Sequence, residues 1–221
     1  MRKINWKISK SGKALVTNKF IDLFIVILGV TIAFQLNNIK QRADQKSLEN
    51  FYKQSLRIDV DKDIDQMNSI LNKLKSDHRL ISRALITGDA NPDTLQLAIF
   101  EALSFETFNT RHDNTFQNIL NSGYSSISNE LRSATQDYYK CYANFDRFEM
   151  VYTEFITNQF HPYFAPRFEY AKTKLLDALV AQDVQARNNL FIVSALLNDG
   201  IENYQHAIER AMALNSLLGA K

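Results

Sequence analysis

Glycine, proline and cysteine are scarce in this chain of 221 residues, which contains six, three and one of them, respectively. Glycine and proline are the residues that most often interrupt helices and mark turns. Because 45% of the residues are hydrophobic, so few breakers favour long helices, and the sequence predicts an all-α fold. The single Cys141 excludes an intramolecular disulfide. Its helical surroundings, YYKCYANF, predict a small core residue.

Motifs for catalysis and metal binding are also missing. The chain has no Gly-rich phosphate loop, no G-x-S-x-G turn and no H-E-x-x-H zinc motif. The alternate aspartates of residues 59–65 lack the glycine and glutamate of a calcium-binding loop. Glu202, His206 and Glu209 share a helix face, but a di-iron bundle needs Glu-x-x-His pairs on two helices. We therefore expect no enzymatic activity, no metal and no other cofactor.

One long apolar run is present, at residues 20–36, with the sequence FIDLFIVILGVTIAFQL. As a helix it would be about 26 Å long, slightly less than a hydrocarbon core of about 30 Å, and residues 14–16 can extend it. A buried core helix and a cleaved signal peptide are the alternatives. No small-x-small cleavage site follows the run, so the sequence predicts an uncleaved transmembrane helix.

Charge predicts the orientation of this helix. Residues 1–19 carry six Lys or Arg and no acidic residue, and such basic tails stay in the cytoplasm. Because the whole chain is +2 and Asp22 adds one negative charge, residues 37–221 carry −3. The basic tail can contact anionic lipid. It gives no reason to expect nucleic-acid binding, and the predicted partner at this end is the lipid bilayer.

Three residues inside the apolar run are candidate functional residues. Gly29 and Ala33 are four positions apart, so they lie on one helix face and allow another membrane helix to approach closely. Asp22 is a candidate proton or ion-pair site, because carboxylates in membrane helices usually face protein, water or a cation. Alternatively, Asp22 lies near the headgroups, where it is solvated or paired with Lys19.

Residues 37–86 contain no glycine or proline and predict a stalk helix that continues from the membrane helix. Apolar residues recur there at alternating intervals of four and three, a heptad seam with one polar interruption. The seam consists of Val60, Ile64, Met67, Leu71, Leu74, His78, Ile81 and Leu85. It predicts either a coiled coil with a partner or a second copy, or packing against later helices of the same chain.

The rest of the chain reads as further helices of one domain, residues 37–221. The turn at residues 88–92, with Asn91 as N-cap, precedes the first of them, and Ser128 or Asn129 caps the longest. Proline at 162 and 166 and the Asn198-Asp199-Gly200 sequence mark later breaks. The predicted helices span about 93–108, 115–121, 129–160, 167–181, 184–197 and 201–218.

Two stretches carry a family resemblance. The sequences LGVTIAFQLNN (28–38) and TFQNILNSGYSSISNELRSATQDYYK (115–140) resemble an uncharacterised family of single-span membrane proteins of Gram-negative bacteria. That family carries a domain of unknown function, so the resemblance implies topology and a helical fold only. Its acidic residue early in the span corresponds to Asp22. FIDLFIVIL also resembles the membrane helix of biopolymer-transport motor subunits of the TolR/ExbD type, whose aspartate carries a proton.

Together these features predict a single-span protein of the bacterial inner membrane, with its N-terminus in the cytoplasm and its helical domain in the periplasm. We expect it to act as a scaffold or accessory subunit that binds a protein partner or a second copy through its membrane and stalk helices. The alternative is an ion-coupled membrane subunit in which Asp22 works with a multi-span partner.

Overall fold

The computed structural model describes residues 10–86, 92–108, 111–122 and 127–219. The chain divides into two units, Met1–Asn50 (unit 1) and Phe51–Lys221 (unit 2). The predicted all-α class is confirmed, since the described sheet consists of only two short strands. The tail at residues 1–9 lies outside the described residues.

The first helix, α1, runs without interruption from Lys10 to Ile86, a length of 77 residues. The predicted membrane and stalk segments therefore form one continuous helix. In unit 1, the large apolar side chains of residues 21–36 are between 50% and 65% exposed. Of the described helices, only α1 is long and apolar enough to cross a membrane, judged by length and composition.

Short elements separate the other helices of unit 2. A π-helical turn, Ile156–Phe160, and three 3₁₀ turns, Ala165–Arg167, Tyr170–Lys172 and Ala178–Gln182, accompany them. In chain order the helices and strands are α2 (Pro92–Leu103), α3 (Asn114–Asn121), α4 (Asn129–Tyr139), α5 (Cys141–Phe155), α6 (His161–Phe164), β1 (Phe168–Glu169), β2 (Lys174–Leu175) and α7 (Val184–Gly219).

Helices α1 and α7 pack in antiparallel directions. Ser82 Oγ lies 3.4 Å from Ser194 Oγ, and Asn215 Nδ2 donates to Asp61 Oδ1 at 2.6 Å. The predicted seam faces this core. Buried seam residues are Val60, Met67, Leu71, Leu74 and Ile81, and partly buried ones are Ile64, His78 and Leu85. The seam therefore packs against later elements of the same chain, which leaves little of it exposed for a second helix.

The start of two helices follows the sequence-based prediction. Helix α2 begins at Pro92, although its predicted cap Asn91 and the rest of that turn lie outside the described residues. Helix α4 is capped by Ser128, whose Oγ accepts a hydrogen bond from Leu131 N at 3.3 Å. A serine oxygen at this position satisfies one of the unpaired amide groups of the first turn.

One predicted helix is too long, and another is interrupted. The helix predicted over 93–108 ends at Leu103. The helix predicted over 129–160 is interrupted at Lys140 and passes into the π-helical turn after Phe155. At the first interruption, Ala143 N bonds to Lys140 O, three residues back. No local sequence pattern signals this tightening.

The helix predicted over 167–181 is wrong. Its place is taken by an antiparallel pair in which Phe168 opposes Leu175 and Glu169 opposes Lys174. Both apolar partners are buried, and Leu175 N donates to Gln96 Oε1 on α2 at 2.9 Å. Burial of the pair against α2 outweighs the local helical pattern, because tertiary contacts routinely override propensity.

The predicted break at Asn198-Asp199-Gly200 is also wrong, since α7 continues through it as one helix. A Cβ added at Gly200 would lie 2.4 Å from Phe148 Cζ and within 2.9 Å of two further atoms of the same ring. Gly200 is therefore required for the close approach of α5 and α7, a use of glycine that the sequence alone does not distinguish from a helix stop.

Candidate functional site

The residues predicted to act in the membrane segment lie exposed on α1 in unit 1. They are Asp22, Gly29 and Ala33. A Cβ added at Gly29 would meet nothing within 4 Å, so this face of the helix is open for contact. Both predicted roles, helix contact and ion pairing, stay predictions.

The predicted core cysteine is confirmed, because Cys141 is buried in unit 2. Burial raises the pKa of its thiol, which keeps the thiol protonated and unreactive near neutral pH. Within the described ranges, no group of three or more His, Cys, Asp or Glu side chains is arranged to hold a metal ion.

A buried carboxylate, Asp63, is the centre of a network of hydrogen bonds in unit 2. Its side chain is 0% exposed. Tyr138 Oη and Tyr142 Oη both donate to Asp63 Oδ2, at 2.7 and 2.5 Å. His112 N donates to Oδ1 at 3.2 Å, and His112 Nδ1 lies 2.7 Å from the same oxygen. We refer to Asp63, His112, Tyr138, Tyr139 and Tyr142 as the Asp63 cluster.

Three parts of the fold converge on this cluster. Asp63 lies on the core-facing side of α1, while Tyr138 lies in the last turn of α4 and Tyr142 in the first turn of α5. His112 belongs to the segment between α2 and α3, where Tyr139 Oη donates to its carbonyl oxygen at 3.0 Å. The cluster therefore connects α1, the 111–113 segment and the α4–α5 junction through charge-assisted hydrogen bonds, which are the stronger kind.

Protonation states follow from burial and charge. Burial raises the pKa of Tyr138 and Tyr142 well above the ordinary phenol value, and the negative charge of Asp63 raises both further. Both phenols therefore stay protonated and act as donors at neutral pH. Because a carboxylate can only accept, its contact with His112 selects the ring tautomer that carries the proton on Nδ1.

A second set of contacts surrounds the cluster. Arg111 pairs with Asp146 and lies 5.5 Å from the ring centroid of Tyr142. Its hydrogen bond lowers the pKa of the Asp146 carboxyl. Glu149 Oε1 accepts from Phe108 N at 2.8 Å. These bonds hold Phe108 and Arg111 against α5, while Asp63 on α1 binds His112. The position of His112 is therefore fixed by its contact with α1 and by the contact of Arg111 with α5.

The hydrogen bonds of the Asp63 cluster serve a structural role. Four donor contacts occupy the two carboxylate oxygens, and the side chain has no exposed surface. A general base needs an accessible lone pair within reach of the proton it removes. Asp63 offers none in this arrangement, so its contribution is to stability and to a single packing of the helices.

Sequence reasoning did not identify this cluster. In the sequence, Asp63 belongs to the run of alternate aspartates at residues 59–65, and no local pattern pairs it with the tyrosines. One available signal is that Asp63 lies between Val60 and Met67, on the side of α1 that faces the core. A carboxylate in such a position requires buried donors. Comparison of the chain with protein-family models, with curated proteins and with solved structures finds no match.

Proposed function

We propose that this protein is a membrane-anchored helical scaffold or accessory subunit that acts by binding other proteins. The observation that carries the proposal is that one helix, α1, contains both the exposed apolar stretch of residues 21–36 and the buried seam of unit 2. Large apolar side chains left in water cost free energy, about 1.5–3 kcal/mol for each compared with full burial. A lipid bilayer removes that cost.

The orientation belongs to the same proposal. Six basic residues and no acid precede residue 20, which favours a cytoplasmic N-terminus and a periplasmic unit 2 in the inner membrane of a bacterium. The cluster around Asp63 supports a scaffold role, because a rigid, singly packed helical unit presents its surface residues in fixed positions. The partner is a protein or a second copy of the chain.

Site-specific photo-crosslinking in native membranes tests the proposal. A photoreactive residue at Met150, which is exposed on α5, is expected to give discrete protein adducts. Those adducts should disappear when residues 1–36 are deleted, provided that the released unit 2 is soluble and keeps its helical circular dichroism. Adducts that persist without residues 1–36, or an anchored protein that yields no adduct from several exposed positions, would contradict the proposal.

A second candidate function is ion coupling through Asp22, favoured by its exposure on the apolar stretch of α1. The same crosslinking separates the two. A photoreactive residue at Ile25 should capture a multi-span protein if Asp22 works in ion transfer, and Asp22→Asn should abolish the partner-dependent activity. If the activity is unchanged in Asp22→Asn, ion coupling through Asp22 is excluded and the scaffold function remains.

A further inference from the structure

Antiparallel packing of α1 and α7 leaves a groove in unit 2 between residues 72–86 of α1 and residues 184–201 of α7. Three cavities lie along this surface, with volumes of about 530, 390 and 380 Å³. The first is lined by α1 residues and Ile201, the second by α1 residues alone, and the third by Leu85 and residues of α7. Two of them share His78 and Arg79 in their lining. We refer to this surface as the α1–α7 groove. From Lys75 to Ile86 it extends about 17 Å, or three helical turns.

The α1–α7 groove is basic. Its cavities are lined by Lys75, His78, Arg79, Arg83 and Arg187, and by no carboxylate among the described residues. Unit 2, residues 51–221, contains 17 Lys or Arg and 21 Asp or Glu, a net charge of −4, so this groove concentrates positive charge on an otherwise acidic unit.

Apolar side chains flank these cations. Ile86 is 82% exposed, Val184 70% and Phe191 66%. Phe191 and Val184 line one cavity of the groove together with Arg187. Exposed apolar patches of this kind mark interaction sites, and aromatic residues and arginine are the types enriched at protein interfaces.

We propose that the α1–α7 groove binds an acidic amphipathic helix of a partner protein. This inference rests on the proposed scaffold function and names the chemistry of its partner. The carboxylates of such a helix would face Lys75, Arg79 and Arg187, and its apolar stripe would cover Val184 and Phe191. A helix of about 12 residues matches the length of the groove, and helix-in-groove recognition uses anchors at i, i+3, i+4 and i+7.

Fluorescence anisotropy with the full chain in nanodiscs of neutral lipid tests this inference. The probe is a labelled 14-residue synthetic helix with glutamate on one face and leucine and phenylalanine on the other, and empty nanodiscs give the background. Saturable binding that weakens as salt rises is expected. The double variant Arg79→Glu/Arg187→Glu should weaken it about tenfold or more, and Phe191→Ser about fivefold. Arg147→Glu, an exposed charge reversal on α5, is the matched control and should change nothing.

Three results would overturn the inference. The first is no binding of the probe. The second is equal binding of polyglutamate without any effect of Phe191→Ser, since that describes a site for negative charge alone. The third is binding of anionic vesicles, but not of the peptide, that depends on Arg79 and Arg187. Crosslinking from Met150 does not involve the α1–α7 groove. Adducts at Met150 without peptide binding in the groove would therefore refute this inference and leave the proposed scaffold function standing.

Discussion

Replacing Asp63 with alanine is expected to lower the free energy of unfolding of unit 2 by about 3–5 kcal/mol. The substitution leaves the hydroxyls of Tyr138 and Tyr142 and the main-chain amide of His112 without their acceptor in a buried site. Each unpaired donor then retains its cost of desolvation. Urea titration of the full chain in nanodiscs, followed by circular dichroism at 222 nm, measures the effect.

The matched control for this substitution is Asp65→Ala. Asp65 lies two residues further along the same helix and is exposed, so its loss should change stability by no more than about 0.5 kcal/mol. Tyr138→Phe and Tyr142→Phe each remove one donor and preserve the ring, and should each cost about 1.5–3 kcal/mol. Equal midpoints for Asp63→Ala and Asp65→Ala would show that the cluster does not hold the fold.

Alkaline pH is expected to unfold unit 2 in one steep transition that starts just above pH 10. Burial is the main cause that raises the pKa of Tyr138, Tyr139, Tyr142, Tyr152 and Tyr204 well above their ordinary value of 10.0, and that of Tyr163 to about 12. Above pH 10 the unfolded chain loses phenol protons that the folded chain keeps, so stability falls as the pH rises. For the five most buried tyrosines together, the loss is about 7 kcal/mol per pH unit.

Parallel titrations between pH 8 and pH 12 check this expectation. Absorbance at 295 nm reports phenolate, and circular dichroism at 222 nm reports helix. Both signals should change together within less than one pH unit, because ionisation of the buried phenols requires unfolding. Gradual ionisation of all nine tyrosines around pH 10, with the helical signal intact, would contradict the burial described here.

The features that sequence reasoning predicted correctly are local. Helix α1 follows from a long stretch without proline, and the side of α1 that faces the core follows from the spacing of Val60, Met67 and Leu74. The starts of α2 and α4 follow from Pro92 and Ser128. Each of these signals is contained within a few turns of chain, where helical periodicity and capping act.

The features that it missed depend on contacts between distant parts of the chain. Asp63 meets His112 and Tyr142 across 49 and 79 positions, and a single sequence does not state which buried donors will meet a carboxylate. In the sequence, Gly200 indicates a helix stop, and only the contact with Phe148 shows that it serves close packing of two helices. The strand pair at 168–175 depends in the same way on its contact with Gln96.

Reporter fusions at the C-terminus test the central claim, an uncleaved membrane anchor with unit 2 outside the cytoplasm, most directly. Alkaline phosphatase is active only outside the cytoplasm, whereas green fluorescent protein exported in an unfolded form stays dark. The account predicts an active phosphatase and a dark fluorescent protein fused after Lys221, on a chain whose mass includes residues 1–36. A fluorescent fusion with inactive phosphatase, or a mature chain without its first thirty-odd residues, would contradict it.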